Sequence, residues 1–367
     1  MRLDAAAVSA IPGAPPPAVL VVAPALAFAV AVGLVWLLRR NPIGPLRILD
    51  EPNERSLHQA PVPRTGGLGV LLGVAAGLLA TLACAPGVFA DAMRGAFWPV
   101  VATVLLATVS LMDDRRHVAA AYRLLAQFLA ALLVYIGGLA WLKLSLPGLE
   151  QLVLPAWLVP LLTLAFLIWM TNLYNFMDGM DGLAGGMAVF GFGALAVLGF
   201  RGGAADFGLL AAIIAAAAGG FLLHNLPRAG IFLGDVGSAV LGFWAAALLL
   251  WGAQRGLFHL WIGLLVFSPF LVDATWTLLR RLLRGIPVWR AHREHHYQRL
   301  VLAGWPPRRV LFWAYTLMAA CAASAIGALS LSADEQWLLL LAWAGLYGLV
   351  HLRVDLAERS HVNAGER

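Results

Sequence analysis

Long apolar stretches run along this chain, with polar residues gathered in the short gaps between them. Stretches such as 18–38, 67–83 and 152–170 approach the ~20 apolar residues that cross a hydrocarbon core of about 30 Å. Eleven spans can be drawn: 18–38, 66–83, 97–112, 121–142, 152–171, 182–200, 206–223, 237–252, 258–279, 310–330 and 335–351. The longest polar loops, 39–65 and 280–309, are too short for a water-soluble domain. No internal repeat is visible, which argues against a transporter built from inverted halves. The pattern therefore predicts an all-α, polytopic integral membrane protein of about 10–11 transmembrane helices, with residues 1–367 forming a single transmembrane domain. The Pro-rich start (Pro12, Pro15, Pro16, Pro17) precedes a span too long for a signal segment, so it reads as a retained first helix.

Composition agrees: 61% of residues are hydrophobic, 12% are charged and the mean hydropathy is +0.83. The net charge of +6 could suggest nucleic acid, but the basic residues lie between apolar spans and form no basic domain. Alternating the loops from side to side puts nineteen Lys and Arg residues on one side and five on the other. By the positive-inside rule the richer side is cytoplasmic, and every polar motif below falls on it. Cys84 and Cys321 imply neither a disulfide framework nor a metal site.

The most informative motif is Asn172–Ala184, NLYNFMDGMDGLA. An aspartate at the bilayer centre costs roughly 2.5–3.5 kcal/mol, so ionisable groups in such a protein are functional candidates. Residues three apart on an α-helix lag by about 60°, so Asn172, Asn175 and Asp178 can share a broad face while Asp181 drifts away. Gly179 and Gly182 predict a helix break that turns both carboxylates into one cavity. Asp113-Asp114, followed by Arg115-Arg116, suits a divalent cation or a cation-bridged phosphate. Asp235, in Phe232-Leu-Gly-Asp-Val-Gly-Ser238, opens a span between glycines that allow close phosphate approach. The loop around His292, Arg293, His295 and His296 carries three histidines and three arginines within ten residues and no cysteine, which favours an anion over zinc. Arg64, before Gly66-Gly67, is placed to meet a lipid phosphate. Acids and amides for Mg²⁺, cations for phosphates and a lipid-facing body point together to phosphoryl transfer to a membrane-embedded acceptor.

These motifs, N-x-x-N-x-x-D-G-x-D-G-L-A, the paired aspartates, F-x-G-D-x-G-S and a late histidine-rich loop, closely resemble the polyprenyl-phosphate N-acetylhexosamine-1-phosphate transferases (glycosyltransferase family 4) over about residues 45–305. The resemblance implies transfer of a sugar 1-phosphate from a UDP-N-acetylhexosamine to undecaprenyl phosphate, with UMP released. It implies Mg²⁺, replaceable by Mn²⁺, and a bacterial inner-membrane enzyme whose active site faces the cytoplasm. By matching position, Asn175 and Asp235 would ligate the metal, and Asp113 and Asp114 would lie beside the attacking lipid phosphate. Asp178 and Asp181 would shape the nucleotide site, and His295 with Arg293 would meet the donor phosphates. Asn172, His292 and His296 complete the expected substrate contacts.

His296-Tyr297-Gln298 replaces the histidine run of several branches, so this chain looks most like the O-antigen-initiating branch that uses N-acetylfucosamine, N-acetylquinovosamine or N-acetylglucosamine, with roles in lipopolysaccharide and cell-wall biogenesis. The implied partners are the two substrates and membrane lipid, with no nucleic acid and with room for a homodimer. Two rivals stand beside this reading. A CDP-alcohol phosphatidyltransferase lacks support because Asp181-Gly-Leu-Ala184 is followed by Gly185 and no arginine. An ion or anion transporter is disfavoured because the carboxylates gather on one face.

Overall fold

The computed structural model describes residues 16–40, 48–51, 61–116, 118–149, 152–287 and 292–365. In chain order its helices are α1 (Pro17–Arg40), α2 (Gly66–Cys84), α3 (Pro86–Arg116), α4 (Ala120–Ile136), α5 (Leu158–Phe176), α6 (Leu183–Arg201), α7 (Ala205–Asn225), α8 (Gly234–Gln254), α9 (Leu260–Val266), α10 (Ser268–Leu283), α11 (His296–Leu302), α12 (Pro307–Ala328) and α13 (Ala333–Gly365). Two small antiparallel hairpins join them: β1 (Leu49–Asp50) with β2 (Val62–Pro63), and β3 (Lys143–Leu144) with β4 (Leu152–Val153). Among the described residues, nine helices are long and apolar enough to cross a membrane, and the bent pair α9–α10 makes a tenth span. With the 17-residue α4 these elements match the eleven expected spans in order.

Several boundaries differ from expectation; the last helix, α13, runs on to Gly365, past the expected end at 351. The apolar pattern predicts helix through 142 and again from 152, but α4 ends at Ile136, Lys143–Leu144 pair with Leu152–Val153 as β3 and β4, and α5 begins at Leu158. Gly138, at φ 94°, follows Gly137 directly after α4 and adopts a backbone that favours glycine, which ends that helix early. The span 258–279 is two helices bent by 84°, with Pro269 in the first turn of the second, where its missing N–H breaks no helical bond. The third span starts at Pro86, ahead of the expected residue 97.

Small residues explain how the helices pack. The buried face of α1 is Val19, Ala23, Ala27, Ala31 and Val35, one residue every four. Opposite it α2 presents Gly69, Gly73 and Gly77; a Cβ on Gly73 would meet the Ala27 carbonyl at 2.7 Å. Lipid tails are as apolar as leucine, so small-residue stripes that let backbones approach are what hold membrane helices together. Helices α6 and α7 complete this group, while α3, α5 and α2 pack around α8. Helix α8 is buried along nearly its whole length and is the central column of the molecule. Its first turn carries Asp235.

Candidate active site

The site lies at one end of the bundle, where α3, α5 and α10 finish and α2, α4, α6, α8 and α11 begin. Backbone bonds assemble its floor. The first two amides of α2 donate outward, Gly66 to the Phe232 carbonyl at 2.9 Å and Gly67 to Leu233 at 2.8 Å, and Phe232 donates back to Pro63 at 2.7 Å. These are helix-terminal N–H groups with no partner inside their own helix. The two glycines are required here: a Cβ on Gly67 would run into the backbone of Gly237, and Gly234, at φ 72°, lies against the Arg64 carbonyl. The loop carrying Arg64 is thereby fastened to the loop carrying Asp235.

Four side chains form the centre. Asp114 is buried and accepts Arg64 Nη2 at 2.9 Å, together with the amides of Asp235 and Val236 at 3.3 and 3.4 Å. Its charge thus meets both a guanidinium and the positive end of α8. Asp113, also buried, accepts the Val118 amide at 2.7 Å and Arg123 Nη1 at 2.8 Å, and its carboxyl lies within hydrogen-bonding reach of Asp235. Asp235 remains partly accessible; its Oδ1 accepts Asn175 Nδ2 at 2.9 Å and lies 3.6 Å from Arg64. The same Asn175 nitrogen donates to Ser238 at 2.9 Å. Since a carboxylate repels an amide oxygen, these two acceptors fix the orientation of the Asn175 amide.

The end of α5 is built as the glycines predict. The helix stops at Phe176, and Gly182, at φ 77°, starts α6. Gly182 is held by Asn225 Oδ1, which its amide reaches at 2.8 Å, and by the Tyr315 hydroxyl, which its carbonyl receives at 2.7 Å. Asp181 accepts the Ala229 amide at 2.9 Å and so ties this turn to the segment after α7. Asp178 is partly buried between them. Withdrawal from water, then the nearby Asp235 charge, push its carboxyl well above the ordinary range, against the pull of Arg64. A cluster of carboxylates this dense favours the arrival of a cation.

The histidine loop closes one side. The Phe176 and His295 rings stack at 6.4 Å, the Tyr297 hydroxyl donates to the Phe176 carbonyl at 3.3 Å, and Gly179 leaves room for that hydroxyl. His292 lies 4.9 Å from His295, ring to ring. Burial, then the charges of His295 and Arg281, pull His292 down to about 4. One buried nitrogen in this loop, Arg293 Nε, has no hydrogen-bond partner, whereas His295 Nδ1 faces Asp273 Oδ1 at 3.4 Å. Such an orphaned donor is rare in native proteins and is expected where a ligand completes the set.

The structure therefore brings Arg64, Asp113, Asp114, Asn175, Asp178 and Asp235 into one cluster, with Asp181, His292, Arg293 and His295 along its rim. Two expected contacts lie elsewhere. Asn172 forms a reciprocal amide pair with Gln127 of α4 at 2.6 and 3.3 Å and also donates to the Ile168 carbonyl, so its amide is committed to joining two helices. The expected broad face shared by Asn172, Asn175 and Asp178 is thus divided, with Asn172 turned to α4 and Asn175 to α8. His296 is buried between Asp273 and His351. Arg115 and Arg116 are exposed, and the guanidiniums that meet the paired aspartates belong to Arg64 and Arg123. Arg290, also in the histidine loop, lies outside the described residues.

Sequence reasoning missed three participants. Arg123 reaches Asp113 and stands 4.0 Å from Asp235. Asp273, inside an apolar span, accepts the His296 amide at 3.0 Å with each of its oxygens. Tyr297 packs on the α5 turn. A lone carboxylate within a span was the available signal for Asp273.

A polytopic helical bundle with acids, amides and guanidiniums interleaved at one end is that of a membrane enzyme acting on phosphates. Residues 96–253 match the model of glycosyl transferase family 4. The chain is 31% identical over 258 residues to a probable undecaprenyl-phosphate N-acetylglucosaminyl 1-phosphate transferase of Bacillus subtilis, covering 70% of each protein. It is 33% identical to a decaprenyl-phosphate N-acetylglucosaminephosphotransferase of Mycolicibacterium smegmatis over 72% of this chain and 71% of the relative. It is 29% identical to an undecaprenyl-phosphate alpha-N-acetylglucosaminyl 1-phosphate transferase of Yersinia pestis over 85% of each. The chain belongs to glycosyl transferase family 4 and is a membrane phosphoglycosyl transferase. That membership does not favour the phosphatidyltransferase or transporter readings.

Proposed function

We propose that the protein transfers N-acetylhexosamine 1-phosphate from a UDP-sugar to undecaprenyl phosphate and so begins a lipid-linked envelope glycan. The observation that carries this reading is the interleaving of Asp113, Asp235 and Asn175 with Arg64 and Arg123, with the unpartnered Arg293 Nε in the loop that closes one side. Oxygen donors there suit a hard cation, and guanidiniums suit phosphate.

Among the described residues no three His, Cys, Asp or Glu side chains make a ready cation cage. That fits Mg²⁺, which keeps most of its waters and is held by one or two carboxylates plus substrate phosphates. Asp235 and the Asn175 carbonyl oxygen would hold it, with Asp113 beside them; Mn²⁺ would be accepted by the same donors. When bound, Mg²⁺ supplies charge neutralisation on the donor pyrophosphate.

In this reading an oxygen of the lipid phosphate attacks the phosphorus that bears the sugar. The new P–O bond forms in line as the bond to the UMP oxygen breaks, and UMP leaves with that electron pair. The acceptor phosphate is already anionic near neutral pH, so no proton need be removed from it. Arg64 and Arg123 hold that phosphate and offset the repulsion between two anions. Asp114 is saturated by Arg64 and the amides of α8, which gives it a positioning role. Asp178 and Asp181 shape the nucleotide side, and Arg293 with His295 meet the donor phosphates. The cluster would face the cytoplasm of the bacterial inner membrane, where nineteen basic residues collect.

UDP-N-acetylglucosamine is the first donor to test, followed by the N-acetylfucosamine and N-acetylquinovosamine nucleotides that the His296-Tyr297-Gln298 pattern suggests. Purified protein incubated with undecaprenyl phosphate, Mg²⁺ and this panel should release UMP and form a pyrophosphate-linked lipid. Release of UDP, or silence across the whole panel, would overturn the proposal.

A further inference from the structure

Helix α13 lies at the edge of the bundle and is lipid-facing over most of its length, but its last described turns converge on α11, the short helix behind His295. His351 Nδ1 is 2.8 Å from His296 Nε2, and the His351 ring stacks on Trp276 at 4.8 Å. His296 Nδ1 is in turn 3.1 Å from Asp273 Oδ1. One turn later Asp355 accepts Arg299 Nη2 at 2.6 Å and stands 3.5 Å from Arg280, while Glu358 pairs with the same Arg299 nitrogen. Arg299 is itself buried.

These contacts share a logic. A helix of seven residues, His296–Leu302, is too short to hold itself. Its first amide is anchored by Asp273 and its last turn by the acids of α13. With the Asp273 carboxylate accepting from Nδ1–H of His296, a neutral His296 presents Nε2 as the acceptor for the His351 N–H, so each ring fixes the next. His295 is the residue immediately before this helix, so any tilt of α11 displaces its ring and the neighbouring Arg293.

We propose that the end of α13 is a strut that positions the donor-phosphate loop, with His351 and Asp355 as positioning residues acting through His296 and Arg299 on the Asp273 anchor. The inference rests on the reading that His295 and Arg293 meet the donor. It extends the functional machinery about fifty residues past that loop, into a helix that touches none of the central acids in the contacts described.

The test uses the full chain in detergent, with steady-state kinetics and deuterium exchange. His351→Phe keeps the stacking and loses the hydrogen bond. It should raise KM for the nucleotide sugar about tenfold and leave KM for the lipid acceptor within about twofold, the scale of one buried hydrogen bond. His351→Asn, which restores a donor near the Nδ1 position, should recover most of the loss. The double variant Asp355→Asn/Glu358→Gln should reproduce the donor-selective defect and covers the case in which His351→Phe fails to fold. Trp337→Phe removes a 2.9 Å bond to the Pro147 carbonyl at the far end of α13 and should change neither KM. Amides of 292–302 should exchange faster in His351→Phe and not in Trp337→Phe. Equal shifts in both KM values, no shift in either, or unchanged exchange in 292–302 would overturn the strut. If wild-type protein turns over no donor, the functional reading fails, while the exchange measurement still decides the strut.

Discussion

At the scale of single residues, the site depends on which partner each polar group already has. Asp235 keeps an oxygen in reach of solvent while Asp114 does not, although both contact Arg64. Asp235→Ala should therefore lower kcat by at least about a hundredfold, as loss of a metal-holding group at a phosphoryl centre does, with membrane insertion intact. UMP release set against size-exclusion behaviour in detergent checks both halves. Asn172→Ala makes the contrast, because its amide joins α5 to α4. Melting should show a loss of about 1–2 kcal/mol from the broken pair, with kcat/KM within a few-fold of wild type. A collapse of turnover in a stably folded Asn172→Ala protein would return that residue to the substrate. His292, held near 4, is neutral at pH 7 and would meet phosphate as an N–H donor without a charge. Its unfolded value is 6.5, so the unfolded chain binds the proton first, and this group drains stability as pH falls from about 6.5 to about 4. An NMR titration midpoint near 6.5 would refute it.

At the scale of elements, much of the site was legible because it lies at helix boundaries, and boundaries carry strong local signals. Gly179 and Gly182 announced the break after α5, and Asp235 announced the first turn of α8. What could not be read was the partner across space: that Asn172 faces Gln127, or that Asp113 takes Arg123 when two arginines follow it directly. Helix period fixes the face of a residue but not the helix opposite, and in a bundle with little amphipathic contrast every face is apolar. Residues 137–142 and 152–157, beside the β3–β4 pairing, read as helix for a related reason, since an apolar non-helical segment has the composition of a span. The close approach of α2 to α8 gives an element-scale prediction. Gly67→Ala puts a methyl group into the Gly237 backbone, and overpacking of this kind costs about 1–3 kcal/mol. Because that approach also sets Arg64, activity should fall further than melting alone accounts for; equal losses of folded protein and activity would show the glycine to be structural only.

At the scale of the whole molecule, the cluster draws its side chains from the ends of α3 and α5, the starts of α4 and α8 and the loop before α2. Bonds of 2.8–2.9 Å hold these ends level. One residue of axial slip between helices is about 1.5 Å, enough to break any of them. Helix α8 is walled in by protein, whereas α3 and α4 expose Phe97, Val104, Leu124 and Phe128 to lipid and must adjust to the surrounding bilayer. Acyl-chain length thus becomes a control on catalysis. Reconstituted into phosphatidylcholines of increasing chain length, the enzyme should show one optimum, with kcat falling on either side while the protein stays folded. Seen this way, the arrangement is a gauge: a chemical centre in which the thickness of the membrane is measured against a column that cannot stretch.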